Sequence, residues 1–308
     1  MSLARNALLW ISENRKLRAT LPRYKFVRRA VTRFMPGEEL SDAVRAAKEL
    51  QEKTINTIFT RLGENIADRE EARAVAGHYS DSLREIKKER LDTYVSVKLT
   101  QLGLELSEDV CYENLVQVVE EAERQKNRVW IDMEQSGYVD RTLGIYRRIR
   151  SSFSNVGVCL QAYLYRTQKD IEDLLPLKPS IRLVKGAYAE PATVAFPKKA
   201  DVDANFFSLS KLILEHARKG VLFGIATHDP VLISRLQWEA QRQGLGKDEF
   251  EFQLLYGIKT DLQRKLAEEG YRVRSLISYG SFWFPWYVRR LAERPANVLF
   301  VAKSILAR

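Results

Sequence analysis

A closed (β/α)8 barrel, α/β in class and TIM-like, with an N-terminal helical arm in front of it, is what the residue pattern predicts. Three observations lead there. From about residue 55 onward, runs rich in β-branched and aromatic residues alternate with charged stretches whose apolar residues recur every three or four positions. Eight such runs occur, spread over roughly 250 residues, the usual span of a barrel. Strict alternation of strand and helix calls for parallel pairing. The rival, an open doubly wound sheet, lacks its mark, because no G-x-G-x-x-G follows any of the runs.

The arm, residues 1–54, comes first, broken by "MPGEEL" around Pro36. The first 40 residues carry nine Lys or Arg against three Glu, a net of +6, interleaved with Trp10, Tyr24, Phe26 and Phe34. Such an arm fits a solvated helical face packed on the main domain, and equally a contact with nucleic acid or an anionic membrane. The barrel then occupies 55–308. Its strands are expected to begin near Ile55, Tyr94, Val129, Val156, Ile181, Leu222, Phe250 and Val273. Helical patterns separate them, among them "DREEARAVAGHYSDSLREIKKER", "CYENLVQVVEEAERQ", "ANFFSLSKLILEHARKG" and "PVLISRLQWEAQRQ". After the last strand, "SFWFPWYVRRLAERPAN" reads as a helix opened by Pro285 and stopped by Pro295.

Composition narrows the class. With 45% hydrophobic and 29% charged residues the chain can bury a sizeable core, and no run of 18 apolar residues offers a membrane span. The N-terminal segment lacks the apolar run of a secretory signal. Cys111 and Cys159 lie far apart without histidines at ligand spacing, so neither a disulfide framework nor a metal site is expected. The expected location is cytoplasmic, with a peripheral contact to the inner face of the cell membrane.

Barrel enzymes keep their chemistry at the C-terminal ends of the strands. Those ends read Lys98, Asp132 with Glu134, Gln161, Arg182 with Lys185, Thr227–His228–Asp229, Gln253 and Tyr256. In "RLVKGAY" two cations enter a strand that is otherwise apolar. Burying them costs several kcal/mol each unless they are paired, so something beside them must favour positive charge. An anionic ligand or a redox centre that gains negative charge meets that need. In the last helix, Arg289 and Arg290 with Glu293 read either as an exposed ion pair or as two guanidinium forks for a carboxylate.

Taken together, "SVKLTQLG", "WIDME", "LQAYLYRT", "IRLVKGAYAEP", "ATHDP", "EFQLLYGI", "GYRVR" and "YVRRLAERPAN" resemble the proline dehydrogenase family in its short, single-function bacterial form. The resemblance covers about residues 55–300. It implies a distorted barrel with non-covalent FAD that oxidises L-proline to 1-pyrroline-5-carboxylate and passes electrons to a membrane quinone. It also implies coupling to a pyrroline-5-carboxylate dehydrogenase, and no nucleic acid as partner. Carried over by position, it makes Lys98 and Asp132 an interacting pair beside the substrate amine, with Asp132, Arg182 and Lys98 as the catalytic set. Arg182 reaches the flavin N5, Leu183 packs at the substrate ring and Tyr188 closes the pocket. Met133, Gln161, Lys185, Gly186, Ala187, Thr227 and His228 contact the cofactor. Arg289 and Arg290 hold the substrate carboxylate, oriented by Glu293.

One position departs from the family pattern. Leu276 stands where many members carry a tyrosine at the substrate ring, which leaves hydroxyproline or another cyclic imino acid open as an alternative substrate. Tyr279, three residues on, does not replace it, because an odd offset along a strand points to the opposite face. A basic nucleic-acid-binding protein is the alternative from another class, raised by the sequence pI of about 9.5.

Overall fold

The computed structural model describes residues 31–63, 66–284 and 288, so most of the basic arm, together with Arg289, Arg290 and Glu293, lies outside the described residues. Eight strands form one closed barrel in sequence order: β1 (Asn56–Arg61), β2 (Thr93–Val97), β3 (Val129–Ile131), β4 (Val156–Gln161), β5 (Ser180–Val184), β6 (Leu222–Ala226), β7 (Glu251–Leu255) and β8 (Arg272–Tyr279). All neighbours are parallel, and closure runs from Asn56 opposite Arg274 to Arg61 opposite Tyr279. The expected strand starts are each met within one residue.

Helices fill the connections. α1 (Leu40–Gln51) precedes β1, and α2 (Arg69–Lys88), α3 (Glu108–Arg124), α4 (Val139–Arg150), α5 (Thr167–Leu174), α6 (Lys199–Leu214), α7 (Pro230–Arg242) and α8 (Thr260–Glu268) follow β1 to β7 in turn. α2 starts where its sequence says it should, with the Asp68 carboxylate accepting from the Glu71 N–H at 2.9 Å. α1 packs on β1 and β8 and sinks Ala43, Ala46 and Ala47 into the same core as the strands. Among the described residues no helix is long and apolar enough to cross a membrane.

The period-2 pleat divides the strand residues between two environments. The outward set, including Phe59, Val95, Val97, Ile131, Val158, Phe223, Phe252 and Ile277, is fully buried against the helices. The inward set is unusual. Barrel interiors are commonly filled with branched aliphatics, whereas this one holds Tyr94, Ser96, Trp130, Arg182, Glu251, Gln253 and Arg274. Two glycines make room for them. A Cβ at Gly157 would lie 2.7 Å from the Trp130 ring, and one at Gly224 would lie 2.6 Å from the Gln253 amide.

Behind the barrel wall, Tyr279 OH lies 2.8 Å from His78 Nε2 and 3.2 Å from Ser82 Oγ. Burial, aided by the charge of Arg61 and opposed by Asp81, lowers the His78 pKa to about 4. An unfolded histidine takes its proton near pH 6.5, so stability drains away as pH falls from there toward 4. His78→Gln, which cannot be protonated, should therefore lose roughly 1 kcal/mol less than the wild type between pH 7.5 and pH 5, after allowance for partial exposure. Urea unfolding of both proteins at the two pH values checks it. Equal losses would show that His78 does not carry this sensitivity.

Candidate active site

Arg182 is the centre of the arrangement. It is 3% exposed, and β5 points it into the barrel, where residues from three other strands or strand ends take hold of it. Nε donates to Gln253 Oε1 at 2.5 Å. Nη1 donates to Asp132 Oδ1 at 2.8 Å and to Ser96 Oγ at 3.1 Å. Ser96 donates in turn to the same carboxylate oxygen at 2.7 Å. The guanidinium carbon sits 4.8 Å from the centre of the Trp130 ring. Nη2 is buried and has no hydrogen-bond partner among the described residues. A buried guanidinium is costly, and such an open edge in a native fold calls for a ligand.

Asp132 is thus paired with Arg182 rather than with Lys98. This corrects the expected Lys98–Asp132 pair, and the cause is reach: Arg182 arrives from across the barrel and Ser96 completes the contact. Lys98 stands just past β2 and makes no ion pair among the described residues. Its charge does act on Glu134. Burial raises the Glu134 pKa, while two hydrogen bonds from Thr100 and the charge of Lys98 oppose that rise. Gln161 donates to the Glu134 carbonyl at 3.1 Å, and its own Oε1 is buried without a partner among the described residues.

Lys185 leaves the end of β5 and meets Asp203 Oδ1 at 2.5 Å and Asp229 Oδ2 at 3.0 Å. Asp229 also caps α7, accepting from the Val231 N–H at 3.1 Å. The Lys185 charge is therefore balanced by two acids near helix starts, of which Asp203 is the one that counting strand ends overlooks. Gly186 has φ +116°, and a Cβ there would collide with the Tyr163 ring; only glycine turns the chain here. Ala187 is exposed and Tyr188 half-buried beside it. Thr227 is buried, its hydroxyl accepting from the Asp229 N–H at 3.2 Å. His228 Nε2 accepts from the Leu255 N–H at 2.9 Å, which assigns its proton to Nδ1. A histidine held in that way is not the base of a nucleophile–base pair. Among the described residues no cluster of His, Cys, Asp and Glu is arranged to hold a metal ion.

Two expected residues are not brought to this group through their side chains. The pleat turns Leu183 to the opposite face from Arg182, where it is fully buried in the apolar core. Met133 lies in that same core. Leu276 shares the inward face of β8 with Arg274 and is half-buried, while Tyr279 faces the helices, as the odd offset requires. Ser96 and Trp130 touch Arg182 and were not singled out from the sequence, whereas Gln253, which also touches it, was read only as a polar strand end. Alternation could have found Ser96, which lies two residues before Lys98 and so on its face.

Fold and site together define a (β/α)8-barrel enzyme whose polar strand-end residues gather around a buried arginine with one open donor edge. The sequence model of the proline dehydrogenase family matches residues 43–303. The chain is 39% identical over 304 residues to proline dehydrogenase 1 of Bacillus subtilis subsp. natto, covering 99% of each. It is 38% identical to the proline dehydrogenase of Deinococcus radiodurans over 309 residues, 99% of this chain and 98% of that protein. Among solved structures, proline utilization A (PutA) from Bdellovibrio bacteriovorus, inactivated by N-propargylglycine, superposes with a TM-score of 0.83 at 24% identity. That match covers 94% of this chain and 36% of the longer protein. The chain belongs to the proline dehydrogenase family.

Proposed function

We propose that this chain oxidises L-proline to 1-pyrroline-5-carboxylate with a non-covalently bound FAD, in proline catabolism. The observation that carries this reading, within the family, is the open Nη2 edge of Arg182 at the barrel mouth. A flavin ring fits the residues present. It carries acceptor nitrogens and carbonyls suited to Arg182, and a ring N–H suited to the unpartnered Gln161 Oε1. When bound, FAD supplies the two-electron acceptor. Gln161, Arg182, Lys185, Gly186, Ala187, Thr227 and His228 would hold it, with Met133 contributing through its backbone.

The chain's own groups do the rest. Arg182, locked by Gln253, Ser96 and Asp132, presents fixed donors that need no reorganisation as negative charge grows beside them. Lys98 disfavours the ammonium form of a nearby substrate amine, and proline must be neutral at nitrogen to release hydride. By the family resemblance, Arg289 and Arg290 with Glu293, which lie outside the described residues, are assigned to the carboxylate, where two guanidinium forks would set one end of the small ring. The inward Leu276 gives the other end an apolar wall, which disfavours a hydroxylated ring.

We further propose that the electrons leave to a membrane quinone and the product passes to a separate dehydrogenase. Support for the first comes from the loops at the mouth, where Leu106, Tyr165, Val194 and Phe282 are exposed after β2, β4, β5 and β8. Support for the second comes from the likeness to the bifunctional protein PutA of Escherichia coli, 22% identical, of which this chain matches 23%. The primary test is optical. The purified protein should be yellow with flavin absorbance, and that absorbance should bleach when proline is added without oxygen. Folded protein that takes up no FAD, or a flavin that proline leaves oxidised, would overturn the reading.

A further inference from the structure

The barrel holds a second buried ion pair that none of the chemistry above employs. Arg274 and Glu251 are each 4% exposed, with Arg274 Nε donating to Glu251 Oε2 at 2.9 Å. Arg274 Nη1 also meets Asp92 Oδ1 at 2.9 Å, and its guanidinium carbon lies 3.5 Å from the centre of the Tyr94 ring. The other oxygen of Glu251 accepts from Gln253 Nε2, and Gln253 Oε1 accepts from Arg182. The contacts form one unbroken line, Asp92–Arg274–Glu251–Gln253–Arg182, from the N-terminal end of the barrel to its mouth. Its polarity is settled by chemistry. Arginine only donates and a carboxylate only accepts, so the Gln253 amide has a single orientation.

We propose that Gln253 is a positioning residue for the oxidation, held by Glu251 and Arg274, which fixes the rotation of the Arg182 fork so that its open edge faces the flavin. Gripped at Nη1 alone, a planar guanidinium can pivot about its stem. Gripped at Nε as well, it cannot. The neutrality of Gln253 matters too. It keeps Glu251 one side chain away from Arg182, so Asp132 is the one carboxylate paired with Arg182 among the described residues. An acid at 253 would add a second and weaken the field at the open edge. Gly224 belongs to the device, since a side chain there would displace the amide.

This inference rests on the FAD reading above, and the test separates the two. Holoenzymes of the wild type, Gln253→Leu and Gln253→Glu are compared for flavin content, midpoint potential by anaerobic titration, and kcat and KM for proline. Gln253→Leu should lower kcat about tenfold or more with KM within about twofold, because a misaimed donor acts on the transition state. Both variants should have a lower potential than the wild type, as reduced flavin loses a fixed cationic donor. The drop in Gln253→Glu should deepen as pH rises and the new carboxyl ionises. Should Gln253→Leu fail to fold, the near-isosteric Gln253→Glu reads the same property. Variants that hold FAD with wild-type potential, pH dependence and kcat overturn the proposal, even if they melt earlier. A wild type that binds no FAD defeats both readings, and is recognised before either variant is made.

Discussion

Holoenzyme carrying Arg182→Met reduces its flavin with proline about 10²–10³-fold more slowly than the wild type, the loss typical of removing one preorganised donor from a water-poor site. Nothing nearby can replace it. Lys185 is committed to Asp203 and Asp229, and Lys98 lies on another strand end. Arg182→Lys should restore little. A single ammonium cannot serve Gln253, the Ser96–Asp132 pair and the open edge together, because its donors radiate from one point while those of arginine are spread over a fork. The fold should survive, since the Asp132 side chain is 20% exposed and can be hydrated once unpaired. Stopped-flow reduction at saturating proline, with flavin content as control, measures the effect. A rate within about threefold of wild type would remove Arg182 from the reaction.

Arg274→Leu should lower the unfolding free energy by about 3–5 kcal/mol, the cost of stranding one partner of a buried ion pair. The stranded group is Glu251, 4% exposed and left with a single neutral donor, Gln253. Asp92, the other partner, is 53% exposed at its side chain and turns to water at little cost. Burial would lower the Arg274 pKa, yet Glu251, Tyr94 and Asp92 hold it above the ordinary arginine range, so its charge is present at every pH where the protein folds. The double variant Arg274→Leu/Glu251→Leu should recover more than half of the loss, because an apolar pair of similar volume carries no unpaired charge. Urea unfolding of the three proteins decides it. A single-variant cost below about 1 kcal/mol, the value of an exposed pair, would mean that water reaches Glu251.

Much of this could be read from the chain as written. The eight strand starts came from β-branched runs, and the barrel from their count and their alternation with helices. The gathering of Asp132, Gln161, Arg182, Lys185, Thr227 and His228 at one end followed from a rule about where parallel strands end. Gly186 was legible as a break in a strand, and its left-handed backbone against Tyr163 explains it. Leu183 was named by resemblance alone, and the pleat sets its side chain in the apolar core on the face opposite to Arg182.

What remained hidden is which charge meets which. Which residues share a strand face depends on a two-residue period, a property of short segments that any reader of the chain can apply. Hydrogen-bond and ion-pair partners in the barrel depend on closure, which brings Arg182 to the Gln253 amide from 71 positions away and Arg274 to the Asp92 backbone from 182. Asp132 could have taken either Lys98 or Arg182 on sequence grounds. The longer, forked side chain crossing the interior captured it, and Lys98 was left without an ion pair among the described residues. The sequence therefore specifies the barrel and the end at which chemistry happens, because those follow from local periodicity. The aim of the arginine belongs to the tertiary structure, because a buried cation takes whichever partners closure of the sheet brings within about 3 Å.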